Sequence, residues 1–331
     1  MSDSTLNAAL RAVADACAVA RVVQAELAAI KAMTKDDRSP VTVADFAAQA
    51  IVSLRLRAAL GDFALVGEES ATDLRQDSGA TLARAVTDAV RQACPAVSTA
   101  EVLDAIDLGN HDGSGARYWT LDPIDGTKGF LRGGQYAVSL ALIEDGEVTL
   151  GVLGCPNLGA DFDHAFDTPA PEGSLFYARR GEGAWTLPAT GPAAAPVRIA
   201  VARGRSIEDM RVCESVEAGH SRLDDTALIV RHLKVRGTPA RLDSQTKYAV
   251  VARGQADAYL RLPTRADYVE KIWDHAAGKL VAEEAGAIVT DIDGKPLDFA
   301  HGATLSRNRG VVCAPPEFHA ALLDAIRALP R

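Results

Sequence analysis

Leu121-Asp122-Pro123-Ile124-Asp125-Gly126-Thr127-Lys128-Gly129 sets two carboxylates three residues apart around a proline, with a hydroxyl two residues further on. Proline holds the residue before it in extended backbone, and glycine takes dihedrals closed to other residues. Asp122, Asp125 and the Ile124 carbonyl can therefore point toward one locus. Hard divalent cations are held by such oxygens, and phosphate chemistry uses such cations. The same residues are also ordinary turn formers, each for its own reason. Other acidic segments must separate the two readings.

Outward from this stretch, residues 118–121 read as a strand entering the acidic turn. Residues 136–143 and 148–154 read as a hairpin around Glu144-Asp145-Gly146. Upstream, Leu6, Leu10, Val13, Cys17, Leu27 and Ile30 recur near helical spacing and predict a helix over 6–33. A second helix is expected after Pro40, capped by Thr42 and ending before Gly61. Residues 63–66 form a short strand running into Gly67-Glu68-Glu69-Ser70, followed by a helix over 81–93 and a Gly-rich turn at 109–115. Downstream come a loop at 188–196, a helix over 207–217, a helix after Ser244, a strand over 256–262 and a helix over 273–285 stopped by Gly286. A boundary near Pro171 divides the chain into 1–171 and 172–331, the length expected of about two domains.

The composition narrows the classes of function. With 48% hydrophobic and 24% charged residues, and no uncharged apolar run near the ~18 residues of a membrane span, this is a soluble globular sequence with no membrane partner. The N-terminus lacks the basic flank and apolar stretch of a secretory signal, which places the protein in the cytoplasm. Five scattered cysteines with no Cys-x-x-Cys pair fit free thiols in a reducing compartment. A net charge of −9 opposes binding to a nucleic-acid polymer. It also makes a small anionic substrate awkward unless metal ions gather at its site.

Three further acidic positions bear on the choice. Glu68 and Glu69 are adjacent carboxylates that repel unless a cation or solvent intervenes, and a solvated loop end would also hold them. Asp274, in Ile-Trp-Asp-His-Ala-Ala-Gly, stands at a helix start and suits an N-cap. Asp45, three residues after Thr42, would complete a capping box.

As an ordered set, Pro-Val-Thr-x-x-Asp, Val-Gly-Glu-Glu-Ser, Leu-Asp-Pro-Ile-Asp-Gly-Thr and Trp-Asp-His-Ala-Ala-Gly resemble the lithium-sensitive inositol monophosphatase superfamily of magnesium-dependent phosphatases. Within it, Gly-Thr-Lys-Gly-Phe-Leu-Arg-Gly (126–133), Gly-Cys-Pro-Asn-Leu (154–158), His220-Ser221, Leu-Asp-Ser-Gln-Thr-Lys-Tyr (242–248) and Tyr-Leu-Arg-Leu-Pro (259–263) are similar to the 3′(2′),5′-bisphosphate nucleotidases. The resemblance implies an α/β, layered αβαβα sugar-phosphatase-like fold, with an N-terminal α+β half carrying most metal ligands and a C-terminal α/β half completing the site. It implies hydrolysis of adenosine 3′,5′-bisphosphate to AMP, extending to its sulfated relative, by a protein working as a monomer and inhibited by lithium.

Carried over residue by residue, one Mg2+ would take Glu68, Asp122 and the Ile124 carbonyl. A second would take Asp122, Asp125 and Asp274, and a third, weaker ion would lie near Glu68, with Glu69 behind it. Thr127, hydrogen-bonded to Asp45, would activate water for in-line attack without a phosphoenzyme. Thr127, His220, Ser244, Lys247, Arg261 and Asp274 would contact the nucleotide. Ser244 would cap a helix with Lys247 as its fourth residue, and His275 would pack or cap. A phosphatase for inositol phosphates or sugar bisphosphates would share every metal ligand, and a nucleotide sensor without turnover is the alternative from another class.

Overall fold

The computed structural model describes residues 3–33, 40–216, 223–263, 265 and 267–329. The chain opens with α1 (Asp3–Met33) and α2 (Pro40–Leu60), followed by β1 (Leu65–Gly67), α3 (Ala80–Arg91) and α4 (Thr99–Asp107). Then come β2 (Arg117–Asp125), α5 (Thr127–Leu131), β3 (Ala137–Glu144), β4 (Glu147–Cys155), β5 (Ser174–Arg179), β6 (Ala184–Pro188) and β7 (Val197–Ile199). The remainder is β8 (Val212–Glu214), α6 (Leu223–His232), β9 (Ala240–Arg241), α7 (Thr246–Ala252), β10 (Ala258–Arg261), α8 (Ala276–Glu284), β11 (Ile288–Thr290), β12 (Val311–Ala314) and α9 (Pro316–Arg327).

Strands β1 to β7 form one sheet in chain order, parallel between β1 and β2 and antiparallel thereafter. A second sheet runs β11-β12-β10-β8-β9. Helices α1 and α2 cover one face of the large sheet, α7 and α8 lie between the sheets, and α9 with α6 covers the far side of the small one. This is the expected αβαβα layering. The large sheet continues to Ile199, so the division expected at 171 falls between β4 and β5, which pair along their length. Among the described residues, no helix is long and apolar enough to cross a membrane, and all five cysteines are free.

Small residues set how closely the layers approach. On α1, Ala9, Ala12, Val13, Ala16, Cys17 and Ala20 recur every three or four residues and are buried, against Ala44, Ala47, Ala48 and Ile51 of α2. On β4, Gly151 and Gly154 have opposite parity and so face opposite sides of the sheet. A Cβ at Gly151 would lie 2.9 Å from the Ala277 carbonyl of α8, and one at Gly154 would strike Cys17 and Val13 of α1. The β3–β4 hairpin turns on Asp145 (φ 52°) and Gly146 (φ 78°), the left-handed pair that a two-residue hairpin needs.

Three expectations are corrected here. Helix α2 begins at Pro40, where a missing N–H costs nothing, so Thr42 lies inside the helix and neither it nor Asp45 forms a capping box. The helix expected over 207–217 is, in its described part to 216, a short 3-10 turn (Ile207–Asp209) leading into β8. Met210 leaves helical dihedrals, and the Arg211 N–H is taken by buried Asp257 at 2.7 Å. The acidic segment is not a turn, since β2 runs through it to Asp125.

Gly151→Val should overpack the α8–β4 contact and lower stability by about 1–3 kcal/mol, read as a fall in the urea midpoint at unchanged m-value.

Candidate active site

Asp122 pairs with Ser139, but Asp125 pairs with Ala137, so three steps along β2 match two along β3. The extra residue is a bulge, and it falls where Pro123 has no N–H to give the ladder. In a regular strand, residues three apart face opposite sides. The bulge removes that opposition, and Asp122 and Asp125 open onto one cavity.

That cavity, of about 360 Å³, is lined by Glu68, Asp122, Ile124, Asp125, Thr127 and Asp274 together with Lys128, Lys247 and Arg261. Glu68 arrives from the end of β1, Asp274 from the turn before α8, and Thr127 opens α5. Gly126, at φ 89°, makes the bend after the bulge. A Cβ there would lie 2.7 Å from the Ser244 Cβ, so this glycine also lets the two halves of the chain meet.

The carboxylates oppose one another's charge. Burial, with the charges of Glu68, Asp125, Asp274 and Asp45, holds Asp122 well above the ordinary aspartate range. Burial and Asp274 push Asp125 up to about 6 against the opposing Gln245 N–H, Arg261 and Lys247. Desolvation in the cleft, then Glu69, Asp274 and Asp125, pushes Glu68 up to about 7 against a hydrogen bond with Asp122. Because the Glu68 residue is exposed in the cleft, the neighbouring charges are the part of this shift that a cation would relieve. Burial and Arg261 act in opposite directions on Asp274, with a net rise. Among the described residues Asp122 Oδ1 is buried without a hydrogen-bond partner, which suits an oxygen that ligates a metal ion. Glu68, Asp122, the Ile124 carbonyl, Asp125 and Asp274 therefore suit Mg2+, whose ligands are oxygens.

A tighter group of ligand-type side chains, Glu270, Asp274 and His275, has its atoms within 4.8 Å of one another. It is already satisfied by protein. Arg261 Nε lies 2.8 Å from Glu270, its terminal nitrogen donates to Asp274 at 3.3 Å, and His275 Nε2 meets Glu270 at 3.2 Å. Burial works against ionisation of Glu270, yet His275 and Arg261 hold it down to about 2. Glu270 only accepts, so His275 donates to it from Nε2, and His275 Nδ1 lies 2.9 Å from the Tyr248 hydroxyl. His275 is buried and stands at the N-cap position of α8 without a side-chain capping bond, so of the two roles expected it packs.

Asp45 lies on α2 near Glu69 and Glu68, and burial with those two charges raises it well above its ordinary value. Among the described residues it makes no hydrogen bond to Thr127, whose residue is exposed. Lys247 is the second residue of α7 rather than the fourth. Its Nζ donates to Ser215 Oγ at 2.8 Å and sits 5.1 Å from the Tyr259 ring. Burial pushes it below the usual lysine value, with Asp243 pulling the other way. Ser244, at φ 68°, is not the helix cap, although its Oγ accepts the Thr246 N–H at 3.1 Å. Arg261 also donates to the Tyr268 hydroxyl at 3.2 Å. His220 falls outside the described residues. Sequence reasoning did not single out Lys128, Ser215, Asp243, Tyr268 or Glu270. Only Lys128 and Asp243, inside quoted segments, carried any signal.

The profile of the Inositol monophosphatase family matches residues 1–331. The chain is 43% identical over 314 residues to a 3′(2′),5′-bisphosphate nucleotidase of Schizosaccharomyces pombe, covering 92% of this chain and 88% of the relative. It is 44% identical over 315 residues to the enzyme of that name from Emericella nidulans, covering 89% and 90%. Among solved structures, the extragenic suppressor protein suhB of Bartonella henselae shares the fold, with a TM-score of 0.61 at 22% identity over 97% of this chain and 98% of that one.

In metal-free protein, Glu68 and Asp125 have folded values of about 7 and about 6, above their ordinary 4.5 and 3.8. The folded state binds protons more readily, so their contribution is most favourable at low pH and is lost as pH rises through about 4 to 7. The melting temperature in EDTA should fall between pH 5 and pH 7.5, and saturating Mg2+ should abolish that fall. A flat or rising profile in EDTA would contradict the clustered-charge description.

Proposed function

This chain belongs to the inositol monophosphatase family, and we propose that it is a magnesium-dependent phosphatase that removes the 3′-phosphate of adenosine 3′,5′-bisphosphate, giving AMP and phosphate. The sulfated relative of that nucleotide carries the same 3′-phosphate and falls within the same reading. The observation that carries the proposal is the make-up of one cavity, in which an acidic set able to hold cations shares its walls with Lys128, Lys247 and Arg261. A substrate with two anionic groups needs both features. The names of the relatives, at over 40% identity across about nine-tenths of the chain, support the same choice.

Mg2+ held by Glu68, Asp122, the Ile124 carbonyl, Asp125 and Asp274 supplies neutralisation of the charge that develops on the transferring phosphoryl oxygens. The chain itself does the positioning. Lys247, oriented by Ser215, holds the phosphate that is retained, with Lys128 at the cavity wall adding to the field. Arg261 is committed to Glu270 and Asp274, so it steadies Asp274 and offers the substrate only its remaining face. Thr127 presents its hydroxyl to the attacking water, and Asp45 takes the proton once bound substrate draws the pair to hydrogen-bond distance; catalytic hydrogen bonds are often long in ligand-free structures. Neither a cysteine nor a serine nucleophile is needed, and attack by water proceeds in line.

Phosphate release from adenosine 3′,5′-bisphosphate should require Mg2+, exceed release from inositol 1-phosphate and fall in lithium. Preference for inositol 1-phosphate would move the substrate assignment to the sister phosphatases, and no release from either would favour a nucleotide sensor. Asp125→Asn keeps an acceptor for the Gln245 N–H but removes a charge from the cluster. It should lower kcat on the order of 10²–10³-fold while raising the melting temperature of metal-free protein, measured by activity and by thermal denaturation in EDTA.

A further inference from the structure

Behind the acidic cluster lie two buried glutamines, one in each half of the chain. Gln49 of α2 is 0% exposed. Its amide nitrogen donates to the carbonyls of Glu69 at 2.6 Å and Ile106 at 2.8 Å, and its Oε1 accepts the Glu69 N–H at 3.1 Å. One side chain thus satisfies both backbone groups of the residue following Glu68. The chain leaves room for it, since a Cβ at Gly67 would lie 2.5 Å from its Oε1 and one at Gly109 would strike its amide nitrogen. Gln245, 2% exposed, repeats the arrangement on the other side. Its amide donates to the carbonyl of Trp273, the residue before Asp274, at 2.9 Å. Its Oε1 accepts from Ser139 Oγ at 3.1 Å and the Gly278 N–H at 3.3 Å, and its own backbone N–H donates to Asp125 Oδ2.

We propose that Gln49 and Gln245 are positioning residues for the metal centre, each fixing the backbone that carries one side of the carboxylate set. The proposal rests on the reading that Glu68, Asp122, Asp125 and Asp274 hold Mg2+. Carboxylates that repel one another drift apart unless their backbones are tied down. A lysine or arginine in either place would hold the backbone but cancel part of the charge that attracts the ion. A neutral amide donates and accepts at once and leaves the field intact.

Calorimetric titration of the substrate-free protein with Mg2+ tests this. Gln49→Met and Gln245→Met should weaken Mg2+ binding about 10–100-fold. Turnover should return toward the wild-type value when Mg2+ is raised in proportion, with KM for the nucleotide little changed. Should Gln49→Met not fold, Gln49→Asn, one methylene too short to reach all three backbone groups, should show the same weakening. Thr87→Val is the control. It removes a buried hydroxyl bonded to the Ala83 carbonyl at 2.7 Å and should lower stability without changing Mg2+ affinity. Wild-type affinity in the glutamine variants, or a loss no greater than in Thr87→Val, overturns the positioning role. Glu68→Gln separates the two readings. If it weakens Mg2+ binding while the glutamine variants do not, the metal assignment stands and this inference falls. If it binds Mg2+ as the wild type does, the metal assignment itself fails and takes the inference with it.

Discussion

Mutual repulsion among Asp45, Glu68, Asp122, Asp125 and Asp274 is the constraint to which the surrounding structure answers. Burial and like charges raise each of them above its ordinary protonation range, so in the absence of cations the cluster lowers the stability of the fold. The rest of the molecule offsets that cost, and the site is the place where binding a cation returns the most free energy.

The layering supplies the offset. Alanine on α1 and α2, and glycine on β4, let helices lie close on both faces of the large sheet, so the strand that carries Asp122 and Asp125 sits in a densely packed interior. Tyr136, Phe130 and Tyr248 are fully buried around this region, and Phe130 meets Tyr136 edge to face at 4.9 Å. The neighbouring loop is tied from several directions: Gln24 to the Phe130 carbonyl at 2.9 Å, and Asn157 to the Gly134 carbonyl at 2.6 Å. Arg261 links the second sheet to the turn before α8, so Asp274 is placed by the C-terminal half while Asp122 and Asp125 are placed by the N-terminal half.

Some features were legible because their causes are local. The hairpin turn at Asp145-Gly146 needs left-handed dihedrals, and Gly286 (φ 99°) follows α8 as a helix terminator should. Ser98 and Glu101 form a full capping box at the start of α4, with the Ser98 N–H donating to Glu101 at 2.8 Å. That signal lay in the open, yet the helix was not expected, because the mixed pattern around it hid its apolar face. The reading of elements failed for two reasons. Distant Asp257 takes the Arg211 N–H where the backbone turns into β8, and the adjacent Pro40 begins a helix in which Thr42 and Asp45 no longer act as caps.

The sequence by itself determined the chemical inventory: closely spaced carboxylates around Pro123 and Gly126, further acids at 45, 68 and 274, and the cations Lys247 and Arg261. Residue type and short spacing are enough for that, since they fix which atoms are offered and which local dihedrals are allowed. Only the tertiary structure decided how those atoms are used. The bulge opposite β3 turned two oppositely facing acids toward one cavity. Glu270 and Asp274 claimed one side of Arg261, and Gln49 and Gln245 became the ties behind the cluster. Those outcomes depend on which groups the fold makes neighbours, and hydrogen-bond satisfaction in a dry interior is settled between such neighbours rather than along the chain.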